Sequence, residues 1–582
     1  MLHACLALAR NLLTIALFPL LWARRRLRRP RESWVHLRLR SRVVEFARPL
    51  PGIARLVPSL SAPRPTTLGA LRRFTDLAVA DRAIEGVLLE VPVLMTGWAT
   101  LEAVRALVGR LRAAGKQVVV WLPEGGGNRE LFLASAADRI LASPRATLSP
   151  LGVAATTQHL KGLLDKVHVA VEVHRRAEFK TAAESLTDGA MSAPQRVQLD
   201  ALLDTVDGAL VAALAARKGM SEAKVRALFE KGFWPASDAL AEGWLDGVCY
   251  EDGLGRAISG EGRDPVRLVR ASRYVRVVGR PWFVPVGRRP YIAVVPVHGP
   301  IVHGPGGAGP GRAPTAGCEA LTSTLRALAR DRRAVGVVLH VDSPGGSALG
   351  SDQVHREVSR LAEGKPVVAC FGEVSASGGY YVAAPAHAIV AQRLTVTGSI
   401  GVIAARFVVS DLLARVGVTT EVLRRAPHAD LLQNPRPMDP GEHALVAHEI
   451  DAFYRAFIDV VAAGRRLSVE VIEPLARGRV WSGADAHTHG LVDRLGGLDV
   501  ALDLVRERLT TLPRRVVVGL EAEERWPHAA DESPIALGPA SPRGGLLEGL
   551  GMRLAPRVAE LAALLEERDR VLFYAVDLPE IG

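Results

Sequence analysis

GKPVVACFGEVSASGGYYVAAPAHAIVAQRLTVTGSIG, residues 364–401, repeats a stretch already present as GKQVVVWLPEGGGNRELFLASAADRILASPRATLSPLG, residues 115–152. The two align without a gap at a shift of 249, and the alignment extends over 115–182 and 364–431. Glu172-Val173-x-Arg175-Arg176-Ala177 returns as Glu421-Val422-x-Arg424-Arg425-Ala426. The chain therefore holds one domain type twice. Each copy begins with a continuous apolar run, Glu85–Val91 and Val335–Val341, rich in β-branched residues. Such a run fits a strand covered on both faces. A helical pattern follows at Leu101–Ala113 and Asp352–Ala362, then a second strand at Gln117–Leu122 and Pro366–Phe371. This βαβ order predicts an α/β fold with mostly parallel sheets and right-handed crossovers.

Later in each copy a capping box opens a long helix, at Ser192-Ala-Pro-Gln195 and at Asp439-Pro-Gly-Glu442. Each copy closes on a matched segment, Trp234-Pro-Ala-Ser-Asp-Ala and Trp481-Ser-Gly-Ala-Asp-Ala. The chain of 582 residues is too long for one core, so two repeats plus extras suit its length. The domains read as 1–31, a hydrophobic anchor with an Arg-rich flank; 32–251, the first repeat; 252–290, a connector; 291–510, the second repeat; and 511–582, a tail of unassigned role. Gly304–Pro314 is a Gly/Pro-rich loop. The tail carries a Pro/Gly-rich part, Pro534–Gly545, and an amphipathic stretch, Met552–Glu567.

The copies differ where chemistry would sit. Ser377 aligns with Asn128, and Lys180 aligns with Ala429. One copy holds a candidate nucleophile, and the other holds a candidate base. A Ser/Lys pair is a way to activate a hydroxyl, and it would be assembled from both copies. Arg cannot serve as a neutral base, and the chain has only eight lysines against many arginines, so the search for a lysine base is short. Lys365 lies nearer to Ser377 in sequence, but it has a twin in Lys116 and precedes a strand, which suits a structural role. Ser375 competes with Ser377 as nucleophile, and an N-cap role is the commoner use of such a serine. Ser399 aligns with Pro150, so a second hydroxyl is found only beside Ser377. Asp342-Ser343-Pro344-Gly345-Gly346 follows a strand, and its glycines let the backbone approach a substrate. His387 and His428 leave a Ser/His/Asp triad as a further variant, with no Asp partner evident in the sequence.

Composition narrows the classes. The net charge of +12 is concentrated at the amino terminus, where residues 1–50 hold eleven Arg against Glu32 and Glu45. The remainder is nearly balanced, which argues against a nucleic-acid partner and for a membrane surface near the start. Asn11–Ala23 is apolar, and extending it back to Leu2 gives about the 20 residues that span a bilayer. No cleavage signature follows it, and the Arg cluster of 24–31 does, so a retained membrane anchor, spanning or interfacial, is expected. Cys5, Cys249, Cys318 and Cys370 form no CxxC, so neither a zinc site nor a disulfide framework is expected. No metal or nucleotide motif is present, and no cofactor is expected.

SPGGS at 343–347, SASGGYY at 375–381 and TGSIG at 397–401, with AEFKTAAES at 177–185, resemble the long, duplicated form of the signal peptide peptidase A (protease IV) family. Four segments match in order, over roughly residues 35 to 510. The resemblance implies tandem Clp/crotonase-like repeats and a membrane-anchored serine endopeptidase that cleaves signal-peptide remnants and other unfolded apolar segments. It implies Ser377 as nucleophile, Lys180 as general base and Ser399 orienting the lysine. It implies an oxyanion hole from the backbone N–H groups of Gly346 and Gly378, and a homo-oligomer, as a tetramer of duplicated chains. It places the protein at the bacterial inner membrane with the catalytic part away from the cytoplasm, whereas the Arg flank places the body inside. Two rival readings are a crotonase-like acyl-CoA enzyme and a non-catalytic membrane scaffold. The first leaves unexplained why Ser and Lys are each present in one copy only.

Overall fold

The computed structural model describes residues 2–28, 30–47, 65–279, 282–283, 290–307, 314–432, 436–509, 515–518 and 572–574. The tail stretches Pro534–Gly545 and Met552–Glu567 lie outside them. The chain forms two compact units. One comprises Met1–Val153 and Val206–Arg289. The other comprises Ala154–Thr205 and Pro290–Ala522, with the strand Leu572–Tyr574. A segment of the first repeat thus folds with the second, and Lys180 is on it.

The first unit is built on a six-stranded sheet in the order Gly247–Val248, Arg139–Ala142, Gln117–Leu122, Gly86–Glu90, Trp34–Arg38, Leu268–Arg270. Every pairing in it is parallel. All five residues of Gly86–Glu90 are buried, as the unbroken apolar pattern requires of a strand covered on both faces.

The second unit repeats this plan. Its main sheet runs Val480–Ser482, Val396–Gly398, Val367–Ala376, Ala334–Ser343, Tyr291–His298, Arg515–Val518. The pairings are parallel except for Val480–Ser482 against Val396–Gly398. The fold is therefore mixed α/β with mostly parallel sheets. Val337, Leu339, Val341, Val367, Ala369 and Phe371 form the middle of the core, and Tyr454, Phe457 and Val461 of the helix Pro440–Arg465 cover it. The predicted capping box is formed there: Glu442 N–H donates to Asp439 Oδ1, and Asp439 N–H donates to Glu442 Oε2.

A second sheet in this unit matters for the site. It runs Gly306–Gly307, Thr315–Gly317, Ile301–Val302, Gly345–Ser347, Leu572–Tyr574, Ile403–Val408, Ala170–Arg175. The last two strands pair antiparallel from Ile403↔Arg175 to Val408↔Ala170. That ladder brings the segment after Arg175, including Lys180, to the segment before Ile403, including Ser399.

The apolar amino terminus forms two helices, Leu2–Ala16 and Phe18–Arg28, separated at Leu17, with Pro19 just inside the second. Among the described residues no helix is long and apolar enough to cross a membrane. The apolar run is shared between helices of 15 and 11 residues, the second of them Arg-rich.

Candidate active site

Ser377 caps the short helix Gly378–Ala383 at the end of the Val367–Ala376 strand, with φ 54° and ψ −118°. A non-glycine residue there is strained by about 1–3 kcal/mol. The surroundings hold it: Ser377 N–H donates to Gly398 O at 2.8 Å, and Tyr381 N–H donates to Ser377 O at 2.9 Å. A sharp strand-to-helix turn of this kind fixes the direction of the hydroxyl. Ser399 is also at positive φ, 50°, directly after the strand Val396–Gly398.

Lys180 Nζ lies 2.8 Å from Ser377 Oγ, 2.9 Å from Ser399 Oγ and 3.0 Å from Ser399 O. Lys180 is 1% exposed and Ser377 is fully buried. Burial pushes the lysine well below its ordinary range. Neighbouring positive charge is not the cause. Arg175, a candidate for that role by its sequence position, donates to Lys180 O and pairs with the Glu184 carboxylate, and Arg176 pairs with Asp451. A neutral amine has two N–H donors and one lone pair. Ser399 O can only accept, and Ser399 Oγ can accept as well, so these two contacts take both N–H groups. The lone pair is then left for the Ser377 hydroxyl. The arrangement can remove the serine proton without a histidine or a carboxylate.

The two glycines expected to flank the hydroxyl come together. A Cβ built on Gly378 would lie 3.3 Å from Gly346 N, and one built on Gly346 would strike Ile301 O at 2.1 Å. Gly346 has φ 147°. No side chain fits at either position: beside Gly378 the Ser351 hydroxyl, 2.5 Å from such a Cβ, and the Gly345–Gly346 backbone already fill the space.

The competing residues are engaged elsewhere. Ser375 Oγ donates to Val341 O at 2.5 Å and ties two core strands together. Lys365 Nζ donates to Leu328 O and Asp331 O, as Lys116 Nζ donates to Asp81 O and Ile84 O in the first copy. His387 Nδ1 lies against the backbone of Val367, and His428 lies beside Glu442. Ser377 Oγ has Lys180 as its side-chain partner.

One group of residues around Lys180 escaped the sequence reading. Phe179 N–H donates to Arg477 O, Ser399 N–H donates to Arg479 O, and Gly478 N–H donates to Ile400 O. Gln198 bridges Thr181 Oγ1 and the N–H of Val480. The alignment carried a signal for these. Three residues after the capping-box Gln195 stands Gln198, while three residues after Glu442 stands Leu445. Lys231-Gly232-Phe233-Trp234 also becomes Arg477-Gly478-Arg479-Val480-Trp481, with one residue more.

The model of Peptidase family S49 matches residues 110–258 and 359–511, just over half the chain. The chain belongs to peptidase family S49. It is 31% identical over 441 residues to the chloroplastic serine protease SPPA of Arabidopsis thaliana, covering 74% of this chain and 64% of that protein. It is 29% identical over 448 residues to protease 4 of Salmonella typhi, covering 75% and 70%. The match thus spans just under two thirds of the plant protein's length. Among solved structures, ClpP1 of Listeria monocytogenes aligns with 36% of this chain and 94% of its own, at 14% identity and a TM-score of 0.23, too low to carry an argument.

Proposed function

We propose that this protein is a serine endopeptidase in which Ser377 attacks the peptide carbonyl and Lys180 is the general base. The observation that carries the reading is the 2.8 Å approach of a buried lysine, without a carboxylate partner among the described residues, to the hydroxyl of a strained serine. Lys180 takes the Ser377 proton as the Oγ–C bond forms. The N–H groups of Gly346 and Gly378 receive the developing oxyanion, the kind of stabilisation worth about 2.7–4 kcal/mol per donor. Lys180 then gives its proton to the leaving amine, the C–N bond breaks and an acyl-enzyme remains. Water, deprotonated by Lys180, releases it. Ser399 keeps the lone pair aimed at Ser377.

A polypeptide substrate is supported over a thioester by the Gly345–Ser347 strand. The chain's own Leu572–Tyr574 pairs with it antiparallel, with Gly346 opposite Phe573, and meets Ile403 on its other side. An extended backbone is thus accommodated beside the two glycines, as in recognition by strand addition. Signal-peptide remnants and unfolded apolar segments are the substrate class. The helices Leu2–Ala16 and Phe18–Arg28, with Leu12, Leu13, Ile15 and Leu20 exposed and arginines following, would lie in a membrane interface. A homo-oligomer, a tetramer in the resembled family, would be the assembled form.

The test is labelling with a fluorophosphonate probe followed by peptide mapping. The probe should mark Ser377 in the intact protein and nothing in Ser377→Ala. Labelling at Ser375, or equal labelling of the alanine variant, would overturn the assignment.

A further inference from the structure

We propose that Gln198 and the Arg477–Val480 turn are positioning residues that hold the Lys180 amine on the Ser377 oxygen. Lys180 sits in a stretch outside regular structure, between the strand Ala170–Arg175 and the short helix Glu184–Thr187. Nothing in its own secondary structure fixes it. The turn does so from both sides. Towards the lysine, Arg477 O receives Phe179 N–H at 3.1 Å. Towards the serines, Arg479 O receives Ser399 N–H at 2.6 Å and Ile400 O receives Gly478 N–H at 2.9 Å. The same four residues therefore set the distance between the base and the loop that carries Ser399.

Gln198 closes the frame. It is 4% exposed. Its Nε2 donates to Thr181 Oγ1 at 2.6 Å, and its Oε1 accepts from Val480 N–H at 3.2 Å. The residues on either side of Lys180 are thus each tied to the turn, Phe179 directly and Thr181 through Gln198. Gly478 makes the contact close. It has φ 79°, and a Cβ there would lie 2.5 Å from Lys180 N, so the turn backbone packs directly on the lysine backbone. The Arg479 guanidinium stands 5.4 Å from the Phe179 ring and 4.0 Å from the Trp481 ring, covering the same side.

The second copy gives an independent reason. Where Lys180 is replaced by Ala429, Gln198 is replaced by Leu445, which is 50% exposed. A glutamine needed only for helix packing would have no reason to be absent together with the lysine. The bridging amide occurs in the copy that supplies the amine.

The inference rests on the Ser377/Lys180 reading, and one variant set separates the two. Wild-type labelling at Ser377 tests that reading, and Gln198→Leu tests this one. Gln198→Leu should lower kcat per probe-labelled serine about tenfold or more near neutrality, with KM within about twofold, because a displacement of the order of 1 Å at a reacting group costs up to about 100-fold. The rising limb of its pH–rate profile should move to higher pH, so that the loss shrinks in alkali. Arg175, Glu184, Glu178, Arg477 and Arg479 are the charged groups around this stretch, and all are retained in the variant. Thr181→Val should reproduce part of the loss, and Thr181→Ser, which keeps the hydroxyl, should restore at least half of it. A lower melting temperature with unchanged kcat per labelled serine and an unmoved limb would overturn the proposal. If Gln198→Leu does not fold, equal kcat and an equal limb in Thr181→Val and Thr181→Ser would overturn it in the same way.

Discussion

At the head of the short helix that follows the second strand, the first copy has Asn128 and the second has Ser377. Asn128 is the first residue of its helix, Asn128–Ala134, and its φ is not positive. Its side chain turns back on its own copy: Nδ2 donates to Gly152 O at 2.7 Å, and Gly152 N–H donates to Oδ1 at 3.3 Å. Gly401 is the counterpart of Gly152, and a Cβ built there would lie 3.3 Å from Lys180 Cδ. In one copy an amide fills the space beside this glycine. In the other the stem of a lysine does. Around that difference the scaffold is the same. Asp246 and Asp493 each accept from the N–H of the matching isoleucine, Ile140 and Ile389, both at 2.7 Å. Trp234 and Trp481 each donate to a leucine carbonyl six residues back. A frame can therefore be kept whole while the backbone strain of the second copy and the dry amine lent by the first come together in one compact unit only.

The largest test of this contrast removes the groups that make the second unit different. Ser377→Ala and Lys180→Ala should each lower kcat/KM on an apolar peptide by at least about 10³-fold, as loss of a nucleophile or its base does elsewhere. Lys180→Arg should be as inactive as Lys180→Ala, because a guanidinium stays charged. Thermal melts should show all three folded. Near-wild-type turnover by Lys180→Arg would mean that position 180 supplies only a positive charge.

A smaller effect follows from Ser399. Ser399→Ala keeps the carbonyl contact to Nζ and loses the hydroxyl, so one N–H is freed and the lone pair is less well directed. About a tenfold loss in kcat is expected, read from steady-state kinetics, at the scale of one hydrogen bond. The lysine also predicts a sign for stability. Its folded-state pKa lies below that of the unfolded chain, so the unfolded chain binds more protons in the window between them. Stability should then rise with pH from the lowered value towards the ordinary lysine range. Melting temperatures of wild type and Lys180→Met across that window should diverge at the acid side, where the wild type loses relative stability. Parallel curves would contradict a buried neutral amine.

Smaller still is the effect of the paired strand. If Leu572–Tyr574 occupies the path of a substrate beside Gly345–Ser347, Phe573→Pro, which removes a ladder N–H, should weaken that pairing. KM for peptide should fall about two- to fivefold with kcat unchanged. A higher KM would mean that the strand helps to form the groove.

Much of this was legible in the chain itself. The gapless repeat gave the βαβ order, and the burial of Gly86–Glu90 and Val367–Phe371 follows from their unbroken apolar runs. Ser377 and Lys180 stood out because each is absent from the other copy, and the distance between them agrees with that pattern. Of the two sources the sequence left open for the lysine's perturbation, burial and positive neighbours, burial is the one at work. Arg175 and Arg176 adjoin it in sequence, but β-strand geometry and ion pairing turn them to other partners. The Arg477–Val480 turn shows in the sequence only as one residue more than its counterpart in the first copy. Its contribution is made by backbone carbonyls and by a glycine at positive φ, and no side-chain pattern announces those. The apolar amino-terminal run folds as the helices Leu2–Ala16 and Phe18–Arg28, with helical hydrogen bonds from Leu17 N–H to Leu13 O and from Leu21 N–H to Leu17 O.

The smallest expected effect on turnover comes from reversing the contrast at position 128. Asn128→Ser places a hydroxyl where the first copy aligns with Ser377, but supplies neither the positive φ nor an amine. The serine side chain is shorter than the asparagine amide that spans both Gly152 groups, so the paired contact is lost. A stability loss of about 1–3 kcal/mol is expected from that alone, measured by denaturant unfolding. Peptide turnover should stay within about twofold of wild type, because the Lys180–Ser377 pair lies in the other compact unit. In the Asn128→Ser, Ser377→Ala double variant the fluorophosphonate probe should mark no residue. Labelling at position 128 would break the contrast, since it would mean that the first copy has retained a working backbone site and lacks only the nucleophile. The first copy's present geometry argues otherwise: the asparagine amide occupies the space that the second copy gives to its base.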